Sequence, residues 1–209
     1  KALESLRTLA RDHVQNYIEY ALDYQAAGLY HEAIGLMKVY IDGNLQGDYP
    51  MIWYYLAWWH HQCGEAAKLK EYFGKAAAAS PDYCFPNRLE DISVLQLATT
   101  LNPEDARAPF YLGNLWYDKR QYNDAIEQWE LSVQRDATFA IAFRNLGLAY
   151  FNKRNEREKA LEYYEKAFRL APSDARVLME LDQLYKRMNT GTTERLHRLE
   201  KHLNVVEWR

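Results

Sequence analysis

Eight residues from Trp58 to Glu65, WWHHQCGE, hold two imidazoles, a thiol and a carboxylate. Those groups are common zinc ligands, and a thiol beside an imidazole is a common nucleophile. The spacing argues against both. His60 and Cys63 lie one helical turn apart with Glu65 close by, but zinc needs three or four converging ligands. No second cluster of ligands accompanies these, and His197 and His202 sit at the far end of the chain. Cys63 and His61 are two residues apart, so on a helix they point to different sides. His60 is expected to pack between helices instead. No glycine-rich loop that would cradle a phosphate occurs, and the paired Asp and Glu residues along helical stretches read as solvated charge. The sequence therefore predicts no catalytic residue, no cofactor and no metal.

The chain is rich in the chemistry of contact. It holds 17 Tyr, 7 Phe and 6 Trp in 209 residues. One compact core rarely needs so many aromatics, whereas stacked repeats do, because every repeat buries an interface against the next. Composition is 48% hydrophobic and 26% charged, with nine Gly and six Pro and no alternating β-branched runs, which predicts a folded all-α chain. A formal charge of −3 excludes nucleic acid and anionic membrane as partners on charge grounds. No apolar run is long enough to span a bilayer. Cys63 and Cys84 are too few for a disulfide framework, and reduced thiols predict a cytoplasmic setting. The chain starts at Lys1 without a methionine, and a piece of a longer protein is expected.

The elements that must carry these residues repeat. The stretch from Tyr111 to Asp136 returns 34 residues later. Gly113 and Gly147 anchor the first helix of each copy, preceded by Leu112 and Leu146 and followed by Trp116 and Tyr150. Ala125 and Ala160 open the second helices, with Trp129 and Tyr164 four residues on. One extra residue falls in the polar stretch before Ala160. Small residues let two helices approach, and bulky ones fill the notch beside them; Leu at Gly113 would overpack by about 1–3 kcal/mol. Ala21 with Gly28 and Ala33, and Ala57 with Gly64 and Ala76, mark two earlier copies, and Asp182 stands in the anchor place of a decayed fifth. Between Ala57 and Gly113 the chain has a surplus of about 20 residues, predicted as one extra helix. Pro86 opens that segment, Asn87 caps the helix, Leu89, Ile92, Leu95 and Leu97 form its apolar face, and Asn102-Pro103 ends it. Pro109 requires the next helix to begin near Arg107.

This pattern resembles the tetratricopeptide repeat, a helix–turn–helix unit of about 34 residues. The resemblance implies an all-α, right-handed α-solenoid of antiparallel helix pairs. Repeats are expected at 14–47, 50–83, 106–139 and 140–174, a degenerate fifth at 175–205, and the extra helix at 84–103. The strings YCFPNRLEDISVLQLA, DARAPFYLGNLWYDKRQYNDAIEQWE, FRNLGLAYFNKRN and DARVLMELDQLYKR carry a further likeness. They resemble the repeat tail of large bacterial proteins whose β-rich N-terminal domain is thought to be carbohydrate-related. That likeness implies that any catalytic group of the parent lies outside this chain.

In such arrays the first helices line a concave face. The positions six and three before each anchor, and one, four and five after it, give Tyr54, Trp58 and His61, then Arg107, Phe110, Asn114 and Tyr117. They continue with Arg144, Phe151 and Asn152, and finally Arg176, Lys186 and Arg187. Arginines beside aromatics suit an extended peptide with acidic groups. Sugar rings stacked on Tyr54, Trp58 or Tyr117 are the competing ligand, and the non-ligand alternative pairs the bases with Asp118 and Glu180. The resemblance also extends to repeat domains that clamp a C-terminal carboxylate, with Asn114, Asn145 and Arg176 in matching places. Phe110 and Glu180 stand where that clamp needs cations, so a working clamp is not expected. The expected function is a non-catalytic scaffold binding a peptide or its parent's N-terminal domain. The alternative is an accessory region of a carbohydrate-active enzyme, with an oligosaccharide as partner. Leu196, Leu199, Leu203 and Val206 form a terminal apolar stripe that offers a seam for an oligomer.

Overall fold

The computed structural model describes residues 2–11, 13–43 and 49–206. The chain divides into two compact units, one through Leu115 and one from Trp116. All regular structure among the described residues is helical. The first unit holds α1 (Ala2–Ala10), α2 (Val14–Ala26), α3 (Tyr30–Asp42), α4 (Pro50–Gln62), α5 (Ala66–Ala78), α6 (Leu89–Leu101) and most of α7 (Arg107–Asp118). The second holds α8 (Tyr122–Arg135), α9 (Ala140–Ala149), a π-helical turn (Tyr150–Arg154), α10 (Arg157–Leu170), α11 (Ala175–Arg187), α12 (Thr192–Glu200) and α13 (Leu203–Val206). Residues 44–47 of the expected first repeat lie outside the described residues.

Helix pairs form because one backbone device recurs seven residues after each anchor. Gly28 and Gly64 take φ of 74° and 75° there, and Arg120 and Asn189 take 63°. A left-handed residue at this place turns the chain back and lets the next N–H reach a carbonyl of the helix just ended. Leu29 donates to Tyr24, Glu65 to His60, Gln121 to Trp116 and Thr190 to Tyr185, all five residues back. In the fourth pair the left-handed residue is Asn155, and Glu156 donates six residues back to Tyr150. The inserted residue is thus absorbed by the π turn that ends the first helix, not by a looser loop beyond it.

The small positions do what their size allows. Ala21, Ala33, Ala57, Ala125 and Ala160 are fully buried. A Cβ added at Gly147 would lie 2.7 Å from Cδ2 of Tyr164, closer than side chains pack, so the anchor admits nothing larger. Helix α7 begins at Arg107 and holds Pro109 in its first turn, as Pro requires.

Two expectations about α6 need correction. Asn87 does not cap it. The Asp91 carboxylate accepts the Asn87 and Arg88 N–H groups, each at 2.9 Å. The buried stripe is Asp91, Val94, Leu95 and Ala98, while Leu89 is exposed and Ile92 and Leu97 are half-buried. A carboxylate can lie on a core face when it is satisfied, and Asp91 is: beyond the two N–H groups it accepts Tyr55 Oη at 2.6 Å. Arg88 ties the start of α6 to Glu19 and Gln15 on α2.

Candidate functional site

In the second unit the first helices of successive pairs present an open cationic face. On α11, Arg176, Gln183 and Arg187 follow one another at helical spacing, with Met179 and Lys186 beside them, and all five are exposed. Arg176, Lys186 and Arg187 make no ion pair among the described residues. Asp174 fixes the start of this helix by accepting the Arg176 and Val177 N–H groups. Helix α9 lies alongside. Its Arg144 grips Glu180 of α11 with two parallel hydrogen bonds, Nε at 2.8 Å and Nη2 to the other oxygen. Arg144 also donates to the Asn145 side-chain oxygen at 3.2 Å. Arg144 is therefore a seam between two helices and not a free ligand cation, as the alternative pairing with Glu180 anticipated. The π turn that follows α9 carries Phe151, half-buried, and Asn152, exposed.

Tyr117 belongs to this unit and is half-buried. Its ring centroid lies 5.1 Å from Tyr122 and 5.4 Å from Trp129, and Lys153 Nζ stands 5.7 Å away, over Tyr122 at 4.1 Å. Tyr117 thus packs within its own unit, edge-on to Tyr122 and tilted against Trp129.

In the first unit the expected residues do not form one surface. Tyr54 is fully buried, donates to Asp105 Oδ2 at 2.7 Å and packs edge-on to Tyr111. Phe110 is 3% exposed. Neither touches solvent enough to hold a ligand, which corrects their assignment. The reason is that α4 is apolar nearly all round and is covered by α3, α5 and α6. Trp58 is half-buried, edge-to-face with Tyr30 at 5.8 Å. His61 is exposed, and Arg107 and Asn114 are half-buried. What the sequence did not flag is Asp105, 2% exposed, whose other oxygen accepts the Arg107 and Ala108 N–H groups at 2.7 and 3.3 Å. The N-cap position ahead of Arg107 was its available signal.

His60 packs as expected, 3% exposed and stacked on Tyr72 at 5.2 Å, with Nδ1 against Glu65. That hydrogen bond, reinforced by the imidazoles of His60 and His31, holds the Glu65 carboxyl below its usual range. Cys63 Sγ lies 3.8 Å from His31 Nδ1. Burial, with Glu65 and Glu32 adding to it, pushes the Cys63 thiol up, the opposite of what an activated nucleophile needs. Tyr24, three residues after the anchor Ala21, is 41% exposed, whereas Tyr150 in the matching place is 5% exposed. Helix α12 has no fully buried residue; Leu196 and Leu203 are exposed and Leu199 is half-buried. The Val206 side chain lies outside the described residues.

Turn geometry, small anchors and paired helices together define a tetratricopeptide-type all-α repeat fold. No family model matches the chain. Among solved structures it is similar to MamA, with 19% identity over 88% of this chain and 93% of that one and a TM-score of 0.52. It is also similar to MamA from residue 41 onward from Desulfovibrio magneticus RS-1, with 19% identity, 91% and 93% coverage and a TM-score of 0.50. At such identities the likeness establishes the fold alone. No helix among the described residues is long and apolar enough to cross a membrane.

Proposed function

We propose that the chain is a non-catalytic interaction scaffold whose second unit holds an acidic peptide segment, supplied by a partner or by its parent's N-terminal domain. The observation that carries this reading is the α11 face, where Arg176, Lys186 and Arg187 stand exposed without acidic partners among the described residues. Guanidinium forks in that state are free to take carboxylates, and Met179, Phe151 and Asn152 supply apolar area and hydrogen bonds beside them. Arg144 and Glu180 act within this site by fixing α9 against α11, so the face is rigid before a ligand arrives. In this reading the scaffold consists of repeats at 14–47, 50–83, 106–139, 140–174 and 175–205 with an extra helix at 84–103, and works in a cytoplasm, where Cys63 and Cys84 stay reduced. The oligosaccharide reading loses Tyr54, which is fully buried, and Tyr117 is half-buried against Tyr122 and Trp129.

Fluorescence anisotropy with matched Glu-rich and Lys-rich peptides tests the proposal. The Glu-rich peptide should bind, less tightly as salt rises, and Arg176→Glu with Arg187→Glu should weaken it by at least about tenfold. Equal affinity for both peptides, or a double variant that binds like the wild type, would refute it.

A further inference from the structure

Between α5 and α6 the chain runs with alternating side chains. Cys84 and Pro86 are buried, while Tyr83, Phe85 and Leu89 stand outward at 89%, 71% and 72% exposure. Tyr83 takes φ of 57°, a left-handed conformation that is strained for an aromatic residue. The buried neighbours and the Asp91 grip on the Asn87 and Arg88 N–H groups hold this segment in place. Two rigidly mounted rings and a leucine in water form an uncommon surface, of the kind that anchors interfaces. Asp82 and Glu90, both exposed, flank it.

In the second unit a cavity of about 230 Å³ opens among α10, α11 and α12. Phe168, Leu178, Leu181 and Leu199 supply its apolar lining, and its charged lining is Arg169, Arg198 and Lys201 against Glu165 and Asp182, with Glu165 3.8 Å from Arg169. Asp182, in the anchor place that is Gly or Ala in the other pairs, lines it. Asp182 pairs with Arg195 through Nε at 2.8 Å and Nη2. Two long side chains where two small ones would meet hold α12 away from α11. Arg198, over the Tyr185 ring at 4.4 Å and bonded to its hydroxyl, props the next turn.

We propose that these features are the two sides of one self-association contact. The Tyr83–Phe85–Leu89 knob of one copy enters the Phe168–Leu178–Leu199 cavity of another, with Asp82 and Glu90 facing Arg169 and Lys201. The wider charge has the same sense. Through Leu115 the chain carries 9 Lys and Arg against 14 Asp and Glu; from Trp116 it carries 17 against 15. Knob and cavity are different surfaces, so the contact is heterologous, and each added copy leaves one of each free for the next. This is a different contact from a seam along the exposed leucines of α12, and it is independent of the α11 cationic face.

Sedimentation velocity across a concentration series reads the proposal directly. The full chain should show a mass that rises above its monomer value of 24.7 kDa as concentration increases. Tyr83→Ser with Phe85→Ser should weaken association by more than about tenfold, and Arg169→Glu with Lys201→Glu should do so as well, with helical circular dichroism retained in both. Mixed together, these two variants keep one intact knob and one intact cavity, so they should form a one-to-one dimer that does not grow. Arg176→Glu should leave assembly unchanged, which separates this contact from the peptide face. A wild-type chain monomeric throughout, a knob variant that assembles normally, or a mixture that stays monomeric overturns the proposal.

Discussion

In the unit that ends at Leu115, buried carboxylates are answered by phenols: Tyr54 donates to Asp105 and Tyr55 to Asp91, at 2.7 and 2.6 Å, with both acids at most 2% exposed. In the unit that begins at Trp116, the buried acid is answered by a cation, Arg195 holding Asp182, and Arg144 holds the half-buried Glu180; phenols answer only half-buried acids among these pairs, Tyr150 donating to Glu130 and Tyr185 to Glu165, each at 2.6 Å. A phenol is neutral and loses little hydration on burial, whereas a guanidinium loses much. That difference sets depth. The phenol pairs with fully buried acids lie in the first unit, and the arginine pairs sit at helix seams, where Arg144 and Glu180 keep 20% and 25% of their side chains exposed. The second unit therefore keeps cations near its surface, and those left over on α11 form its open face.

High pH should separate the two units most strongly. Burial pushes the Tyr54, Tyr55 and Tyr111 phenols well above their usual value, with Asp105 and Asp91 adding to it for the first two and Cys84 for Tyr111. In the second unit burial takes Tyr163 and Tyr185 up to about 12, with Glu130 and Glu165 the next causes, and of the phenols there it pushes Tyr164 further, with Glu180 adding to it. A phenol whose value rises on folding stabilises the fold fully below about 10, and that stability is lost as pH climbs toward the folded value. Each pH unit above 10 removes about 1.4 kcal/mol per such phenol until its folded value is passed, so the three in the first unit go on losing stability after Tyr163 and Tyr185 have ionised. Alkaline titration followed by circular dichroism and phenolate absorbance should show two steps. Tyr111→Phe should move the earlier one upward, and Tyr163→Phe should leave it in place. A single step that both variants shift equally would erase the distinction.

Removing one buried acid from each unit sharpens the comparison at smaller scale. Asp105→Ala strips the N-terminus of α7 of its cap and leaves Tyr54 Oη buried without a partner, a loss of about 2–4 kcal/mol. Glu180→Ala breaks a pair that water already reaches, and about 1 kcal/mol should go. Urea denaturation of the two variants decides the matter; similar losses would mean that depth does not govern these pairs.

Much of this architecture could be read from short-range spacing. The anchors, the left-handed turn at Gly28 and Gly64 and the start of α7 at Arg107 are local requirements, repeated along the chain, and they appear where the spacing puts them. The inserted residue was visible, but its conversion into a π turn at Tyr150–Arg154 was not, because that depends on how α9 meets α10. Burial was harder to read. A rule that assigns faces by distance from the anchor placed Tyr54 on an open surface, yet the run from Ile52 to Trp59 is apolar on every side, and such a helix is covered on every side. Hydrophobicity also misassigned α6, since Asp91 reads as an outward residue until its three donors are known. The α11 cations were legible as a stripe. That Arg144 would be consumed by Glu180 was only one of two readings, because both outcomes use the same residues.

The most delicate test uses a difference within the repeat itself. Ala21 with Ala33 in the first unit, and Gly147 with Ala160 in the second, meet as small residues, whereas Asp182 and Arg195 meet as an ion pair in the same structural place. Arg195→Ala should lose about 2 kcal/mol, because Asp182, 7% exposed, is left without its cation. Adding Asp182→Ala should recover most of that loss. Two alanines recreate the notch of the other pairs, and α12 can then close on α11. The double variant should therefore be more stable than Arg195→Ala alone, with a coupling of about 1–2 kcal/mol in a four-protein denaturation cycle. Closure also shrinks the cavity lined by Phe168 and Leu178, so the same double variant should associate less tightly than the wild type. If the two losses simply add, the ion pair is not what separates these helices, and the fifth pair is open for another reason.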